Sequence, residues 1–278
     1  MEKRVKLLIK LTLTATAIYI IYLKIDTKKL KDIIADANIY YLLLAFTFFN
    51  LSKVVGSIRL NLYFRAIGIK LSELEALRLY YIGMFYNLFL PTGLGGDGYK
   101  IYILNRRYKT KISKLIPLFL LDRLSGLIPL MLFGATLFLF SRFNQNIYLT
   151  YLAYITIILS IPALYLLNLY LFRDYIKIFL ATLSLGALLQ ILQLISAIFI
   201  VYAISYQENL VEFLTLFLIS SIVAVLPISI GGVGVRELTF LYGLDYIKLD
   251  SDAGVAFSIL FFVITATSSM VGGVLKSI

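Results

Sequence analysis

The chain has no cysteine and no histidine among its 278 residues. That absence excludes disulfides, thiol nucleophiles, imidazole bases and His-ligated metals together. Charge is scarce as well: Asp, Glu, Lys and Arg make up 15% against 61% hydrophobic residues, and the mean hydropathy is +0.93. No polar run is long enough for a soluble domain, so the sequence describes an integral membrane protein in which the bundle is the whole chain. The Gly-x-x-x-x-Gly-Lys-Ser/Thr phosphate loop is missing too, so movement driven by that kind of ATP site is not expected. What remains for chemistry is carboxylates, Lys, Arg, Tyr hydroxyls and backbone dipoles. The net charge of +11 would suit a nucleic acid in a polar protein. In so apolar a chain the sorting of positive charge to one membrane side accounts for it, and no nucleic-acid partner is expected.

What is present organises around a stretch that occurs twice. Leu90-Pro-Thr-Gly-Leu-Gly-Gly-Asp-Gly-Tyr-Lys100 is answered 136 residues later by Leu226-Pro-Ile-Ser-Ile-Gly-Gly-Val-Gly-Val-Arg236, with five identities in eleven. An offset close to half the chain reads as an internal duplication, with residues 1–142 and 143–278 as the two repeats. Both copies interrupt long apolar runs. That combination points to broken helices near the bilayer midplane, where transporters bind their substrates.

The apolar runs give the topology. Leu11–Leu23 follows a basic start at Lys3, Arg4, Lys6 and Lys10. Ala15-Thr16-Ala17 resembles a signal-peptidase site, but Ile18–Leu23 continues past it, so an uncleaved first span is expected. Lys24–Asn38 reads as an amphipathic connector and Ile39 to about Phe64 as a second span. In that span Asn50, Lys53, Ser57 and Asn61 recur at steps of three and four, a polar stripe that faces the bundle interior or a polar cavity. Snorkelling is the other option for Lys53. Leu71–Leu90 begins polar, and only its last dozen residues suit lipid, too few to cross a core of about 30 Å. After the break, Asp97–Leu104 runs back as the second arm of a re-entrant hairpin. Ile116–Ser141, Tyr148–Leu171 and Ile178–Tyr206 are further spans. Leu210–Leu226 and Val235–Gly243 form the second hairpin, and Ala253–Leu275 is the last span.

With the N-terminus cytoplasmic, sixteen Lys and Arg fall on the inner side, among them the cluster in Asn105–Lys114. Six fall outside, and Lys53, Arg59, Arg123 and Arg236 lie within spans. This bias places both termini in the cytoplasm, in a cell (plasma) membrane. The expected fold is an all-α polytopic membrane helix bundle, with about six full crossings plus two re-entrant broken-helix hairpins in inverted-topology repeats. Its two Gly-Gly breaks meet near the midplane.

The buried charges mark the candidate site. Asp122 and Arg123 lie about 13 Å into their span by helical rise, where a charge costs about 2.5–3.5 kcal/mol on insertion scales. Adjacent helical residues point about 100° apart, so each needs its own partner. Lys100, Arg236, Asp97 and Glu237 are the candidates. A half-helix starting at Asp97 or Val233 presents free N–H groups and a positive dipole end. Gly95, Gly96, Gly231 and Gly232 let a ligand approach that backbone closely. Together with Lys100, Arg123 and Arg236, these features suit a lipid phosphate. Asp97, Asp122 and Glu237 are read as charge-pairing or coupling residues, with Asp97 and Glu237 holding Arg123 and Arg236. The competing reading of the same charges is an ion-pair network that only locks spans together. No catalytic residue, cofactor or metal set is expected.

Pro91-x-x-x-Gly-Gly-Asp97 with its following Lys100, Leu121-Asp-Arg-Leu-Ser-Gly126, and Leu226-Pro-Ile-Ser-Ile-Gly-Gly-Val-Gly-Val-Arg-Glu237 resemble the lysylphosphatidylglycerol synthase transmembrane-region family. The resemblance covers nearly the whole chain and presents three motifs in order. It implies a flippase-like protein that moves an anionic phospholipid or a polyprenyl-phosphate-type lipid between leaflets. Fused members of the family carry an aminoacyltransferase domain after the membrane part. This sequence stops at Ile278, just past its last span, so a stand-alone member without aminoacylating activity is expected. Two other classes compete with the translocase. One is a membrane lipid-phosphate transferase or hydrolase using paired Asp and Mg²⁺. The other is a non-catalytic membrane subunit of a cell-envelope or glycolipid synthesis complex.

Overall fold

A computed structural model describes residues 2–89, 95–225 and 232–276. Those residues form eleven α-helices and no strand: α1 Glu2–Lys24, α2 Thr27–Ala35, α3 Ile39–Ala66, α4 Glu73–Phe89, α5 Gly95–Tyr108, α6 Ile112–Phe140, α7 Ile147–Leu171, α8 Phe179–Ala203, α9 Leu210–Val225, α10 Val235–Tyr246 and α11 Ser251–Val274. The molecule is a polytopic helical bundle. Among the described residues, six stretches are long and apolar enough to cross a membrane: Ile39–Ala66, Ile112–Phe140, Ile147–Leu171, Arg173–Ala203, Gln207–Ala224 and Ser251–Val274. Five of them coincide with expected spans. The sixth is the first arm of the second hairpin, which with its leading 3₁₀ turn reaches 18 residues, about the thickness of a bilayer core. The expected first span, Leu11–Leu23, lies within α1.

Short polar residues start the helices at one end of the bundle. Asp26, Asn38, Asn146 and Asp250 each accept backbone N–H bonds from the first turn of the helix that follows, satisfying donors that would otherwise be orphaned. Long-range contacts gather these starts together. Asn38 N–H donates to Ala203 at 2.9 Å, Lys29 Nζ lies 2.8 Å from Asp250 and 3.5 Å from Asp252, and Arg142 pairs with Glu212 at 3.5 Å. Tyr206 donates to Asp250. Burial, and then Asp250 beside it, push the Tyr206 hydroxyl up to about 12, so it remains a donor at neutral pH. At the opposite end Arg65 pairs with Glu73 and Arg107 with Glu75, and Tyr63 stacks edge-on against Tyr175.

Residues 24–38, 141–146, 204–209 and 246–252 therefore share one end with each other, and 65–75, 106–114 and 171–178 share the other. Each hairpin leaves from one end and returns to it: α4 and α5 from the end of Arg107, α9 and α10 from the end of Glu212. Their arms pack antiparallel, and the pairs enter from opposite ends. α3 packs most extensively on α8 through the middle of the bundle. Around them α4 packs on α11 and α9 on α6, which are equivalent partners when the two halves are exchanged.

α3 is buried on more than one face. Lys53, Ser57 and Asn61 of the expected stripe are buried and Asn50 is half-buried. Asn50 donates to Ser268 at 3.0 Å and accepts from Tyr81 at 2.7 Å. Ser52, Gly56, Arg59 and Tyr63, on nearly the opposite side, are buried too. The remaining face, with Leu43, Leu51, Val54 and Ile58, is exposed and apolar, so the helix shows little amphipathic contrast.

Candidate functional site

The first hairpin is built on backbone contact. A Cβ at Gly96 would stand 2.0 Å from the Gly83 carbonyl oxygen, and one at Gly83 would stand 2.2 Å from Lys100 Cε. The two glycines let α5 lie directly on α4, with the Lys100 stem across Gly83. The start of α5 is closed from within: Gly96 N–H donates to Asn87 Oδ1 at 2.8 Å. Lys100, 6% exposed, has its ammonium 3.3 Å from Asp97 and between the rings of Tyr80 and Phe119. Asp97 also accepts from Arg123 Nε at 2.7 Å. One carboxylate thus holds two cations, from α5 and α6.

Asp122, the neighbour of Arg123, turns away to another helix. It accepts from Arg59 Nε of α3 at 2.9 Å, and both side chains are largely buried. The guanidinium lies against Gly126, where a Cβ would be 2.8 Å from Nη1. Nη1 itself is buried without an acceptor among the described residues.

The second hairpin is built differently. Gly232 and Gly234 have φ of +83° and +85°, a left-handed region that glycine enters without strain. The backbone there cannot be right-handed helix, so α10 begins only at Val235. Glu237 closes this start, accepting from Gly234 N–H at 2.7 Å and from the Ser258 hydroxyl at 2.9 Å. Arg236 stacks over Phe261 of α11 at 5.0 Å.

Several expectations are thereby corrected. The half-helices start at Gly95 and Val235 rather than at Asp97 and Val233, because Asn87 supports an early start in the first copy and two positive-φ glycines delay it in the second. Their terminal N–H groups are not all open to a ligand, since Asn87 and Glu237 each take one. Asp97 pairs with Arg123 as expected, but Glu237 forms no ion pair with Arg236 among the described residues, its two oxygens being spent on Gly234 and Ser258. Asp122 pairs with Arg59, a residue outside the expected candidates. The spacing of Ser52, Gly56, Arg59 and Tyr63 was the available signal, masked by the second polar face of the same helix.

Gly231, with residues 90–94 and 226–230 of the repeated motif, lies outside the described residues. The expected meeting of the Gly95–Gly96 and Gly231–Gly232 breaks therefore concerns only Gly95, Gly96 and Gly232 here. Gly96 packs on α4, Gly232 packs on its own hairpin, and α5 and α10 share no extensive interface among the described residues. α4 and α11 stand between them, because each hairpin closes on itself first.

Five cations (Lys53, Arg59, Lys100, Arg123 and Arg236) and three carboxylates (Asp97, Asp122 and Glu237) thus occupy the interior. No three Asp or Glu converge as a metal set among the described residues. The sequence matches the family described as Lysylphosphatidylglycerol synthase TM region over residues 7–183 and again over 171–273. No match was found among curated proteins.

Proposed function

The chain belongs to the lysylphosphatidylglycerol synthase transmembrane-region family, and on that premise we propose that it is a lipid translocase. It moves an anionic phospholipid or polyprenyl-phosphate-type lipid between the leaflets of the cell membrane, and it carries out no covalent chemistry. The observation that carries this reading is a set of five cations and three carboxylates at membrane depth, with Lys53, Arg59 and Lys100 buried and Arg123 and Arg236 half-buried, between two hairpins that enter from opposite ends. Charge in the hydrocarbon region is expensive and is found where it serves a pathway or a ligand. A headgroup entering between the hairpins would exchange its hydration for these cations while its chains remain in lipid. Asp97, shared between Lys100 and Arg123, would yield one of them to a competing phosphate. The duplicated motif and the equivalent pairings of α4 with α11 and α9 with α6 support two inverted repeats, 1–142 and 143–278, as the moving parts.

The test is reconstitution into liposomes with labelled anionic lipid, scoring both leaflet transfer and chemical change. Transfer without chemical change is the expected result. Arg236→Lys should keep the fold yet slow transfer about tenfold, because an ammonium lacks the planar fork that binds phosphate oxygens in pairs. Chemical turnover of the lipid would replace the translocase with an enzyme. A folded protein that transfers nothing would favour the non-catalytic subunit of an envelope or glycolipid synthesis complex.

The orientation is tested separately. Both termini and Asn105–Lys114 are placed in the cytoplasm. Lys109 and Asp245 are exposed at opposite ends of the bundle, and the chain has no native cysteine. In intact cells Asp245→Cys should react with an impermeant maleimide and Lys109→Cys should not; the reverse pattern would invert the topology.

A further inference from the structure

Of the five interior cations, Arg59, Lys100 and Arg123 have carboxylate partners, whereas Lys53 and Arg236 have none among the described residues. Lys53 is only 9% exposed and forms no hydrogen bond or ion pair there. Its ammonium lies 4.0 Å over the Phe49 ring, as the Arg236 guanidinium lies 5.0 Å over Phe261. Phe49 and Phe261 are themselves edge-to-face with centroids 5.6 Å apart. The two unpaired cations therefore stand on the two members of one aromatic pair, Lys53 from the first half of the chain and Arg236 from the second. Each also stands in the repulsive field of the other.

Ring faces relieve only part of the cost of burying a cation, and two like charges side by side add to it. The undescribed turns offer no countercharge, since residues 90–94 and 226–231 contain no ionisable side chain. Glu237, next to Arg236 in sequence, bonds to Gly234 and Ser258 instead, so its charge acts on Arg236 only through space, and no carboxylate does so for Lys53. Gly232 lies directly against Arg236, with its would-be Cβ 3.4 Å from Nε.

We propose that Lys53 and Arg236 form the headgroup site for a terminal phosphate, a phosphomonoester or diphosphate borne on an apolar chain, bound over the Phe49–Phe261 pair. This rests on the translocase reading and narrows its substrate. A monoester carries about −1.5 to −2 charge at neutral pH and suits two cations that lack a bonded carboxylate among the described residues. A phosphodiester carries one charge and leaves a cation orphaned. The membrane depth of both cations favours a phosphate carried on a hydrocarbon chain over free phosphate.

The experiment measures melting temperature and affinity for purified protein in detergent with three probes: dodecyl phosphate, dioctanoyl phosphatidylglycerol and inorganic phosphate. Dodecyl phosphate should bind at least about tenfold more tightly than the other two, as expected for one additional charge-assisted contact. Lys53→Met and Arg236→Met should each lose about tenfold or more of that affinity, and Lys53→Arg should retain most of it. Without ligand, Lys53→Met should melt higher than the parent, because it deletes a buried charge that has no partner. A lower melting point would mean that the protein's own groups hold Lys53, and it would overturn the site. Undiminished binding by Lys53→Met, or equal binding of the diester, would overturn it too. Equal binding of inorganic phosphate would remove the lipid from the proposal. If dodecyl phosphate binds as described but vesicles show no transfer, the translocase reading fails alone. If Lys53→Met still transfers a diester lipid at the parental rate, the present inference fails alone.

Discussion

Arg59→Met by itself is expected to abolish stable folding, and Arg59→Met combined with Asp122→Leu to restore it. Asp122 has no other cation bonded to it among the described residues, and it is buried between α3, α6 and α8. Leaving one partner of a buried ion pair alone costs about 3–5 kcal/mol, a large share of a typical stability of about 5–15 kcal/mol. Replacing both partners with apolar groups of similar volume is neutral or stabilising by about 1–4 kcal/mol in comparable cases. The native pair starts with a handicap that favours the double variant, because Arg59 Nη1 is buried without an acceptor among the described residues. The check is the fraction of monodisperse protein and its melting temperature in detergent for parent, single and double variants. A single variant as stable as the parent would show that water or another group already serves Asp122. A double variant that fails to recover would show that the pair determines how α3 meets α6. If the double variant folds but no longer transfers lipid, the pair belongs to the pathway as well as to the scaffold.

The second large effect is steric. Gly272→Ala on α11 is expected to lower stability by about 3 kcal/mol, the upper part of the usual range for overpacking. The new methyl would stand 2.1 Å from the Tyr81 carbonyl oxygen and 2.5 Å from its carbon. Both atoms belong to the backbone of α4, so no rotamer change relieves the clash and the two helices must separate. Small residues at such crossings are what allow close approach inside a membrane. The separation would also pull Ser268, one turn earlier on α11, away from Asn50. Gly98→Ala on α5 is the matched control. Nothing lies within 4 Å of its would-be Cβ, and alanine is favoured over glycine in a helix by up to about 1 kcal/mol. Thermal unfolding should therefore move in opposite directions for the two variants. An unchanged melting temperature for Gly272→Ala would mean that α4 and α11 are not in backbone contact.

Both predictions show where reading the sequence reaches its limit. Asp122 was recognisable as a buried charge needing a partner, because its depth in an apolar run is a one-dimensional property. That the partner is Arg59, 63 residues away, was not recognisable, since it depends on how far two helices are rotated and displaced against each other. Gly272 in Gly-Gly near the end of the last span gave no sign of which helix it would touch. The stripe at Asn50, Lys53, Ser57 and Asn61 was legible as inward-facing. The burial of Ser52, Gly56, Arg59 and Tyr63 on the other side was not, because the exposed face of this helix is apolar and hydrophobic periodicity then does not mark which residues face inward.

By itself the sequence determined the class of molecule, most of the span boundaries, the grouping of the connectors into two ends, and the two hairpins. These follow from the length of apolar runs, from the sorting of charge along the chain, and from a repeated Gly-Gly motif. All of them are local or cumulative along one dimension. The tertiary structure alone decided which charge meets which. It gave Asp97 two cations, turned Asp122 toward Arg59, bonded Glu237 to the start of its own helix, and left Lys53 and Arg236 without a bonded carboxylate among the described residues. Ion pairing in a bundle is settled by the depth and rotation of each helix against the others, and those emerge only when the helices pack.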